Sequence, residues 1–532
     1  MTNKTTTEAL LPAAKSSRSG FSRRGFLQGV LLAGAGLAAP NLLPRGAWAQ
    51  GKPGGKLIAA LSDGASTDSL DPTTWGGNYF SSEFGSIIGD TLTVVDQKNS
   101  VVPWLAESFE AQDGAKTWVF KLRQGVRFQS GGTMTAADVV ASYNLHRGPD
   151  SKSGSKAGLD IVDDILAEDD STVVFKLKTG AADFPYETAS YRVAIFPSKD
   201  GVADWSNGGT GPFKITNFEP GIKLQATRNP DYWNAETVFF DEIELLLVAD
   251  AAARTNALLT GEVQYIDRAD LKTIDMLKSN SDIEIDNVTG FSHIVATMNV
   301  TMAPFDNLAV REALKYAFDR QEILDKVLFG YGTVGNDNPF APTLKFATNP
   351  EPVHGFDPEK ARSILDTAGI KDLTIDLSTS SAAFGGAVDA AQLMQATAAK
   401  AGITINIVNE PADSYWDAVW MKKPFMLSYW GGRPTIDQHA TQAYAADAVW
   451  NDTFWKVPRF DELLVAARAE TDETKRAAMY AEMQQLLHDD GGQIVLAFNN
   501  YVTAHSKTVA HGDLNSNLDH DGTYMWRRWW NV

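Results

Sequence analysis

The sequence predicts a mixed α/β protein, and three features carry that expectation. Short runs that alternate polar and apolar residues, the period of a half-buried strand, are interleaved with stretches whose apolar residues recur at helical spacing. The helical stretches open on a capping Asp and close on Gly. The 532 residues are 44% hydrophobic and 10% aromatic, enough apolar side chain for a large core, which excludes general disorder. At about 150 residues per domain, the length allows three or four domains.

The first 50 residues stand apart by charge. They hold six basic residues (Lys4, Lys15, Arg18, Arg23, Arg24, Arg45) and one acidic residue, Glu8. The uncharged run 25–44 is rich in Gly and Ala and is interrupted by Pro40, a poor match to the roughly 20 strongly apolar residues of a spanning helix. A basic region, a short apolar region and a small-x-small end predict a cleavable signal peptide over 1–49. Ala47-Trp48-Ala49 is the expected cleavage box, with Gln50 first in the mature chain. Ser22-Arg23-Arg24-Gly25-Phe26-Leu27-Gln28 resembles the twin-arginine export motif, with Gln28 in place of its last Lys. An ordinary secretory signal holding two arginines is the other reading. The expected location is the periplasm, with a soluble mature protein, since no later stretch approaches 18 apolar residues.

Along the mature chain, residues 56–61 predict an opening strand, followed by a polar loop to Leu70-Asp71-Pro72. Runs 117–122 and 172–177 alternate as one-faced strands, and 151–158 is a polar loop. Runs 214–218 and 223–226 flank the turn Glu219-Pro220-Gly221 as a hairpin. Asp306 caps an expected helix reaching about Phe329, with Val310, Ala313, Leu314, Ala317 and Phe318 as its apolar stripe and Gly330 as its stop. Asp357-Pro358 opens a helix with Ala361, Ile364, Leu365 and Ala368 on one face and Gly369 at its end. A third helix runs from about Asp472 to Asp490 and stops at Gly491-Gly492.

Charge and motif content exclude several function classes. With 47 basic against 66 acidic residues the net charge is −19, which repels phosphate backbones, so no nucleic-acid partner is expected. The absence of cysteine removes disulfides, thiolate metal sites and cysteine nucleophiles. Gly330-Tyr331-Gly332-Thr333-Val334-Gly335 fits a dinucleotide pattern but follows a helix, where that motif needs a strand before it. No phosphate-loop, nucleophile-elbow or zinc-protease motif occurs. Asp513-x-Asn515-x-Asn517 begins like a calcium loop, but Leu518 and Tyr524 hold its Gly and Glu positions. None of the eight histidines shows a helical metal spacing; His505, His511 and His520 remain able to meet in the fold. No cofactor, metal site or catalytic residue is assigned.

Four stretches together resemble the periplasmic solute-binding proteins of peptide, nickel and opine ABC importers, the dipeptide- and oligopeptide-binding family (extracellular solute-binding family 5). They are Leu105-Ala106-Glu107-Ser108-Phe109 with 117–128 and 135–140; Gly209-Thr210-Gly211-Pro212-Phe213 leading to Arg228-Asn229-Pro230-Asp231-Tyr232-Trp233; 310–314 through Ala317-Phe318-Asp319-Arg320 to Gly330; and Phe356-Asp357-Pro358-Glu359-Lys360-Ala361 to Gly369. The resemblance implies a two-lobed fold of the type II periplasmic binding class with an extra small subdomain and a ligand cleft between the lobes. By that analogy, lobe I comprises 51–96, 205–288 and 499–532, the subdomain 97–204 and lobe II 289–498. It further implies a non-enzymatic monomer that captures a solute by lobe closure and delivers it to an ABC permease in the inner membrane. The expected solute is a short peptide or related amphiphile, with an anionic group in view of Arg433. A periplasmic hydrolase exported in folded form and a metal-chelate receptor of the same family are the alternatives.

The resemblance also nominates ligand contacts. Peptide-binding members place an aspartate shortly after a Gly-Trp element; the matching stretch here is Tyr429-Trp430-Gly431-Gly432-Arg433, with Arg433 at the aspartate position. A guanidinium offers a bidentate fork to a carboxylate or phosphate, the opposite preference. Arg433 pointing outward or pairing with a protein acid is the other reading, and Asp437 is the substitute anchor. Trp75-Gly76-Gly77-Asn78-Tyr79 matches the family's first cleft loop, with glycines that admit a ligand and Trp75 as a stacking wall. Phe291, His293, Tyr415 and Trp416 complete the expected set, each with a core role as its alternative. Trp526-Arg527-Arg528-Trp529-Trp530 is expected to close lobe I with buried aromatics.

Changing Arg23 and Arg24 together to Lys should leave precursor in the cytoplasm, as fractionation and immunoblotting would report; undiminished periplasmic protein contradicts the twin-arginine reading.

Overall fold

Two long antiparallel strands, Ile283–Met298 and Gln493–Ser506, run through both lobes. At about 3.3 Å per residue the 16-residue strand reaches roughly 50 Å, longer than one sheet needs. Ile283 to Thr289 pairs with Ser506 to Asn500; after a break in register, His293 to Thr297 pairs with Phe498 to Gln493. In this computed structural model residues 51–75 and 78–532 are described; the expected signal peptide, its cleavage box, Gly76 and Gly77 lie outside them.

On one side of the break the pair is extended by Tyr265–Ile266, Lys56–Leu61, Glu242–Leu247, Lys223–Arg228 and Phe213–Glu219. On the other it is extended by Phe425–Gly431, Thr374–Thr379 and Thr404–Asn409, while Gly332–Val334 pairs with Gln493–Ser506. Each half of this 11-stranded sheet is packed on both faces. The first-lobe half has one core around Phe84, Phe240, Trp526 and Trp529 and another around Leu258, Ile274 and Val502. The second-lobe half has one around Leu314, Met394 and Leu496 and another around Phe291, Trp430 and Phe498. A separate four-stranded antiparallel sheet, in the order Ala106–Gln112, Thr117–Leu122, Thr172–Leu177, Val162–Asp169, carries its own core of Phe120, Phe175 and Phe184.

Most expected elements stand where the periodicity put them. The alternating runs 56–61, 117–122 and 172–177 are strands, and the hairpin turn places Gly221 at a φ of 69°. Asp357 accepts from the Lys360 amide to cap Pro358–Thr367, and Asp472 accepts from the Thr474 and Lys475 amides to cap Glu473–Asp490. The helix expected over 306–329 is two helices. Asn307, not Asp306, caps Leu308–Ala317; Phe318 then turns extended, and Asp319 accepts from the Glu322 amide to start Arg320–Lys326. A second strong cap within the periodic run ends the first helix before its stripe runs out.

The C-terminal segment closes the first lobe. Trp526 and Trp529 are buried, the Trp526 indole donates to Glu83 Oε2 at 2.6 Å, and Arg527 pairs with Asp90 and with the Tyr232 hydroxyl. His520 sits between Glu83 Oε1 at 2.8 Å and Asp267 Oδ2 at 3.5 Å. Three non-glycine residues here, His520, Asp521 and Thr523, hold left-handed backbone, a strain of about 1–2 kcal/mol each that the surrounding pairs must offset. Burial alone would lower the His520 pKa, but the charges and hydrogen bonds of Glu83 and Asp267 outweigh it and raise it to about 10. An imidazole with a raised folded pKa stabilises fully below its unfolded value of about 6.5, and that stabilisation is lost as pH rises toward the folded value. Urea stability of the protein should therefore fall between about pH 6.5 and 10, by up to about 1.4 kcal/mol per pH unit from this group. In His520→Gln that slope should flatten, while stability at pH 6 drops by about 3–5 kcal/mol because two buried carboxylates lose their cation. A wild-type slope unchanged in the variant contradicts the buried imidazolium.

Candidate functional site

The space between the lobes is approached by the end of one sheet strand and by the subdomain facing it. Phe425–Gly431 ends at Gly431-Gly432, and the chain turns at Gly432 with a φ of 26°. A Cβ there would lie 2.1 Å from the Phe291 Cβ, so only glycine lets the two segments touch. This close turn sets Arg433. Its Nη1 donates to the carbonyls of Gly431 at 2.9 Å and Gly432 at 2.6 Å. Burial, and then the like charge of Arg192, lower the Arg433 pKa; Tyr191, Glu187 and Tyr501 act on it in the opposite sense. Arg433, half-buried, therefore lies within electrostatic reach of Tyr191, Arg192 and Glu187 of the subdomain.

Arg192 is held from the other side. Its Nε donates to the Trp75 carbonyl at 2.6 Å, and its guanidinium lies 4.5 Å over the Tyr191 ring. Glu187 accepts from Gln438 across the cleft. Burial raises the Glu187 pKa, against the Gln438 hydrogen bond and the charges of Arg192 and Arg433. Further contacts join the subdomain to the second lobe: Arg476 to Asp183 at 2.6 Å, the Ala182 amide to the Arg468 carbonyl at 2.7 Å, and Asn99 Nδ2 to the Thr343 carbonyl at 3.3 Å. The subdomain and the second lobe are thus in contact, with Arg192 and Arg433 acting on each other as like charges there.

The expected contact residues fall into three groups. Arg433, Gly431 and Gly432 stand at the meeting point. Tyr429 and Trp416, 47% and 39% exposed, form an edge-on aromatic pair with centroids 5.6 Å apart on the second lobe. Gly76 and Gly77 lie outside the described residues, and the others named below are engaged in the scaffold. The Trp75 ring is a correction to the stacking-wall expectation: it is fully buried between Phe84 and Phe196, and its indole donates to the Ser69 carbonyl at 3.0 Å. What Trp75 offers toward the cleft is the carbonyl that anchors Arg192. Asn78 caps Tyr79–Ser82, accepting from the Ser81 amide, and donates to Asp68 at 2.6 Å. Tyr415 is buried with its hydroxyl on the Leu427 carbonyl. Asp437 is not a free anchor either: Arg468 Nε donates to it at 3.0 Å, and burial, against the pull of Arg468, pushes its pKa up to about 6.

Behind Arg433 lies a buried aromatic layer. His293 and His439 stand 5.5 Å apart, and the ring of Trp430 lies 5.6 Å from His439. Both ring nitrogens of His439 and Nε2 of His293 lack a hydrogen-bond partner among the described residues. Burial lowers both pKa values, that of His293 to about 4, so these imidazoles are neutral. Phe291, buried beside them, gives its carbonyl to His293 Nδ1 at 3.3 Å.

Sequence reasoning missed Tyr191, Arg192, Glu187, Gln438 and His439. His439 had a signal: with Ile436, Ala440 and Ala443 it completes the buried stripe of Ile436–Ala443. Arg192 and Glu187 had none, because their hydrogen-bond partners Trp75 and Gln438 stand 117 and 251 positions away.

The profile of the bacterial extracellular solute-binding proteins, family 5 (middle), matches residues 100–452, about two thirds of the chain. The chain is 28% identical to di/tripeptide-binding protein 1 of Pseudomonas aeruginosa over 446 residues, 77% of this chain and 82% of that protein. It is 25% identical to the glutathione-binding protein GsiB of Pectobacterium atrosepticum over 468 residues, 85% of this chain and 90% of that one. The fold is similar to that of the ABC transporter-associated periplasmic binding protein DppA from Helicobacter pylori, solved with the peptide STSA. The TM-score is 0.73 at 23% identity, covering 90% of this chain and 99% of that one.

Proposed function

Because the chain belongs to the bacterial extracellular solute-binding proteins of family 5, we propose that it captures a small solute bearing an anionic group between Arg433 and Arg192. It then delivers that solute to an ABC permease of the inner membrane. The solute class is a short peptide or related amphiphile presenting a carboxylate. The lobes are those of the family pattern, 51–96 with 205–288 and 499–532 against 289–498, with 97–204 supplying Arg192. The mature protein acts in the periplasm, as a monomer and without bond making.

One observation carries the reading: Arg433 and Arg192, on opposite sides of the cleft, act on each other as like charges beside Glu187, while the Arg433 Nη1 donates to the carbonyls of Gly431 and Gly432. Like charges about 4 Å apart at an effective dielectric of about 20 repel by about 4 kcal/mol. Closing an empty cleft works against the part of that repulsion that Glu187, which acts on both guanidiniums, does not offset, and a solute carboxylate between the two offsets it further. The solute thus binds the closed state better than the open one, which is the condition for a ligand to shift that equilibrium. The exposed Tyr429–Trp416 pair supplies an apolar flank for the rest of the molecule.

A second reading, a metal chelate as solute, is favoured by the three unpartnered ring nitrogens of His293 and His439 behind Arg433. Native mass spectrometry of protein isolated from the periplasm separates the two, since a retained chelate carries its metal mass.

With the retained solute in hand, calorimetry should show Arg433→Ala weakening its binding by about 10- to 100-fold. That is the loss of a charge-assisted pair of about 1.5–3 kcal/mol, at about 1.4 kcal/mol per decade. Arg433→Asp should weaken it further and admit peptides with a free amino terminus. Unchanged affinity in both variants places the anion elsewhere and contradicts the reading.

A further inference from the structure

We propose that Asp286, His505 and His511 form a binding site for one divalent transition-metal ion of the zinc class, on the first-lobe side of the strand crossing and apart from the solute cleft.

The backbone brings the three together for a plain reason. Asp286 pairs with Thr503 across the two long strands, and Glu284 with His505. Residues two apart on a strand share a face, so His505 lies diagonal to Asp286 on one side of the ladder. After the turn at 506–508, Val509–Ala510 pairs with Trp530–Asn531 and carries His511 back over the same spot. One donor atom from each of the three side chains lies within 4.8 Å of the others. His511 Nε2 is 3.2 Å from Asp286 Oδ1, and His505 Nε2 is 3.5 Å from Asp286 Oδ2.

The hydrogen-bond chemistry then says what belongs between them. His505 Nδ1 lies 3.1 Å from the Ser506 carbonyl, and His511 Nδ1 lies 2.7 Å from the Gly512 carbonyl. A carbonyl only accepts, so each Nδ1 carries the hydrogen, and each neutral imidazole has its Nε2 lone pair on the side of the Asp286 carboxylate, free to bind a metal ion. Two Nε2 atoms and a carboxylate converging on one point need a positive charge between them, which a proton on His511 Nε2 supplies toward Asp286 and a bound metal ion supplies to all three. His505 is 1% exposed and its Nε2 has no hydrogen-bond partner among the described residues, so a buried donor is left aimed into the cluster. Imidazoles whose far nitrogen is tied to a backbone carbonyl are oriented as metal ligands are. Donors about 2.1 Å from a tetrahedral zinc stand about 3.4 Å apart, which the 3.2 and 3.5 Å separations already approach. Two imidazoles and a carboxylate suit zinc or its neighbours over magnesium and leave a fourth position for water. The Trp529 ring packs 4.4 Å from His511 and 5.1 Å from His505, holding both in place. The Asp286 and His511 side chains keep a solvent-facing edge, which gives an ion access.

The test uses the untagged mature chain stripped with EDTA. Titration calorimetry with zinc chloride should show one equivalent bound, and zinc should raise the melting midpoint by a few degrees, where magnesium does neither. His511→Ala and, separately, Asp286→Asn should each weaken zinc binding by at least about tenfold. X-ray absorption of the zinc-loaded wild type should report two imidazoles. No saturable binding in the wild type overturns the proposal, as does undiminished binding in both variants. Zinc binding that is lost in His439→Ala and kept in His511→Ala assigns the ion to the cleft and overturns it equally. If His511→Ala does not fold, Asp286→Asn and the absorption spectrum decide.

Discussion

The strands Ile283–Met298 and Gln493–Ser506 belong to both lobes, and their pairing changes register between Thr289 and His293. Because the ladder is continuous, neither lobe completes its sheet without the other. The ladder shifts register between Thr289 and His293 and again between Ile294 and Val295, the irregularity of a short hinge at which rotation between the lobes can concentrate. Gly290 lies there, and a Cβ on it would meet the Tyr501 ring at 2.8 Å, so glycine lets the two strands lie close where they cross. The site sits beside this crossing: Phe291 lies within it and His293 follows it on one strand, Tyr501 follows it on the other, and Gly432, next to Arg433, packs against Phe291.

On the proposed reading, charge near the crossing is left for a guest. Where the protein needs rigidity it neutralises buried charge internally. Arg320 meets Asp337 through both carboxylate oxygens at 2.8 and 2.9 Å, and His520 is enclosed by Glu83 and Asp267. At the cleft the pattern differs. Arg433 donates to carbonyls, Arg192 donates to the Trp75 carbonyl and lies over Tyr191, Glu187 acts on both, and the neighbouring Asp437 is engaged by Arg468. An acid that paired Arg433 permanently would remove the charge that a solute's carboxylate is to find.

Much of the scaffold was legible in the sequence because its signals are local. Strand alternation at 117–122, the Asp357-Pro358 start and the Asp472 cap each depend on residues within one turn or one pleat. Reading 306–329 as one helix failed for a local reason too, since Asp319 offers a second cap within an unbroken apolar stripe. The site was legible only in part. Arg433 was found because its neighbours resemble a family motif, whereas Glu187 and Gln438, 251 positions apart, meet only through the fold. Trp75 was misjudged because a Gly-rich aromatic loop looks the same whether its ring faces a ligand or, as here, the Ser69 carbonyl and a core. The calcium-like run from Asp513 is a turn in which Asn515 donates to the Val95 carbonyl, while His505 and His511 part company with His520 and meet Asp286.

The central claim is capture by closure without chemistry. Small-angle X-ray scattering tests it most directly, on ligand-free protein and on protein saturated with its retained solute, with the solute recovered afterwards and weighed. The account predicts a smaller radius of gyration when the solute is bound and an unaltered solute on release. An unchanged radius at saturation, or a solute returned with a bond broken, would contradict it.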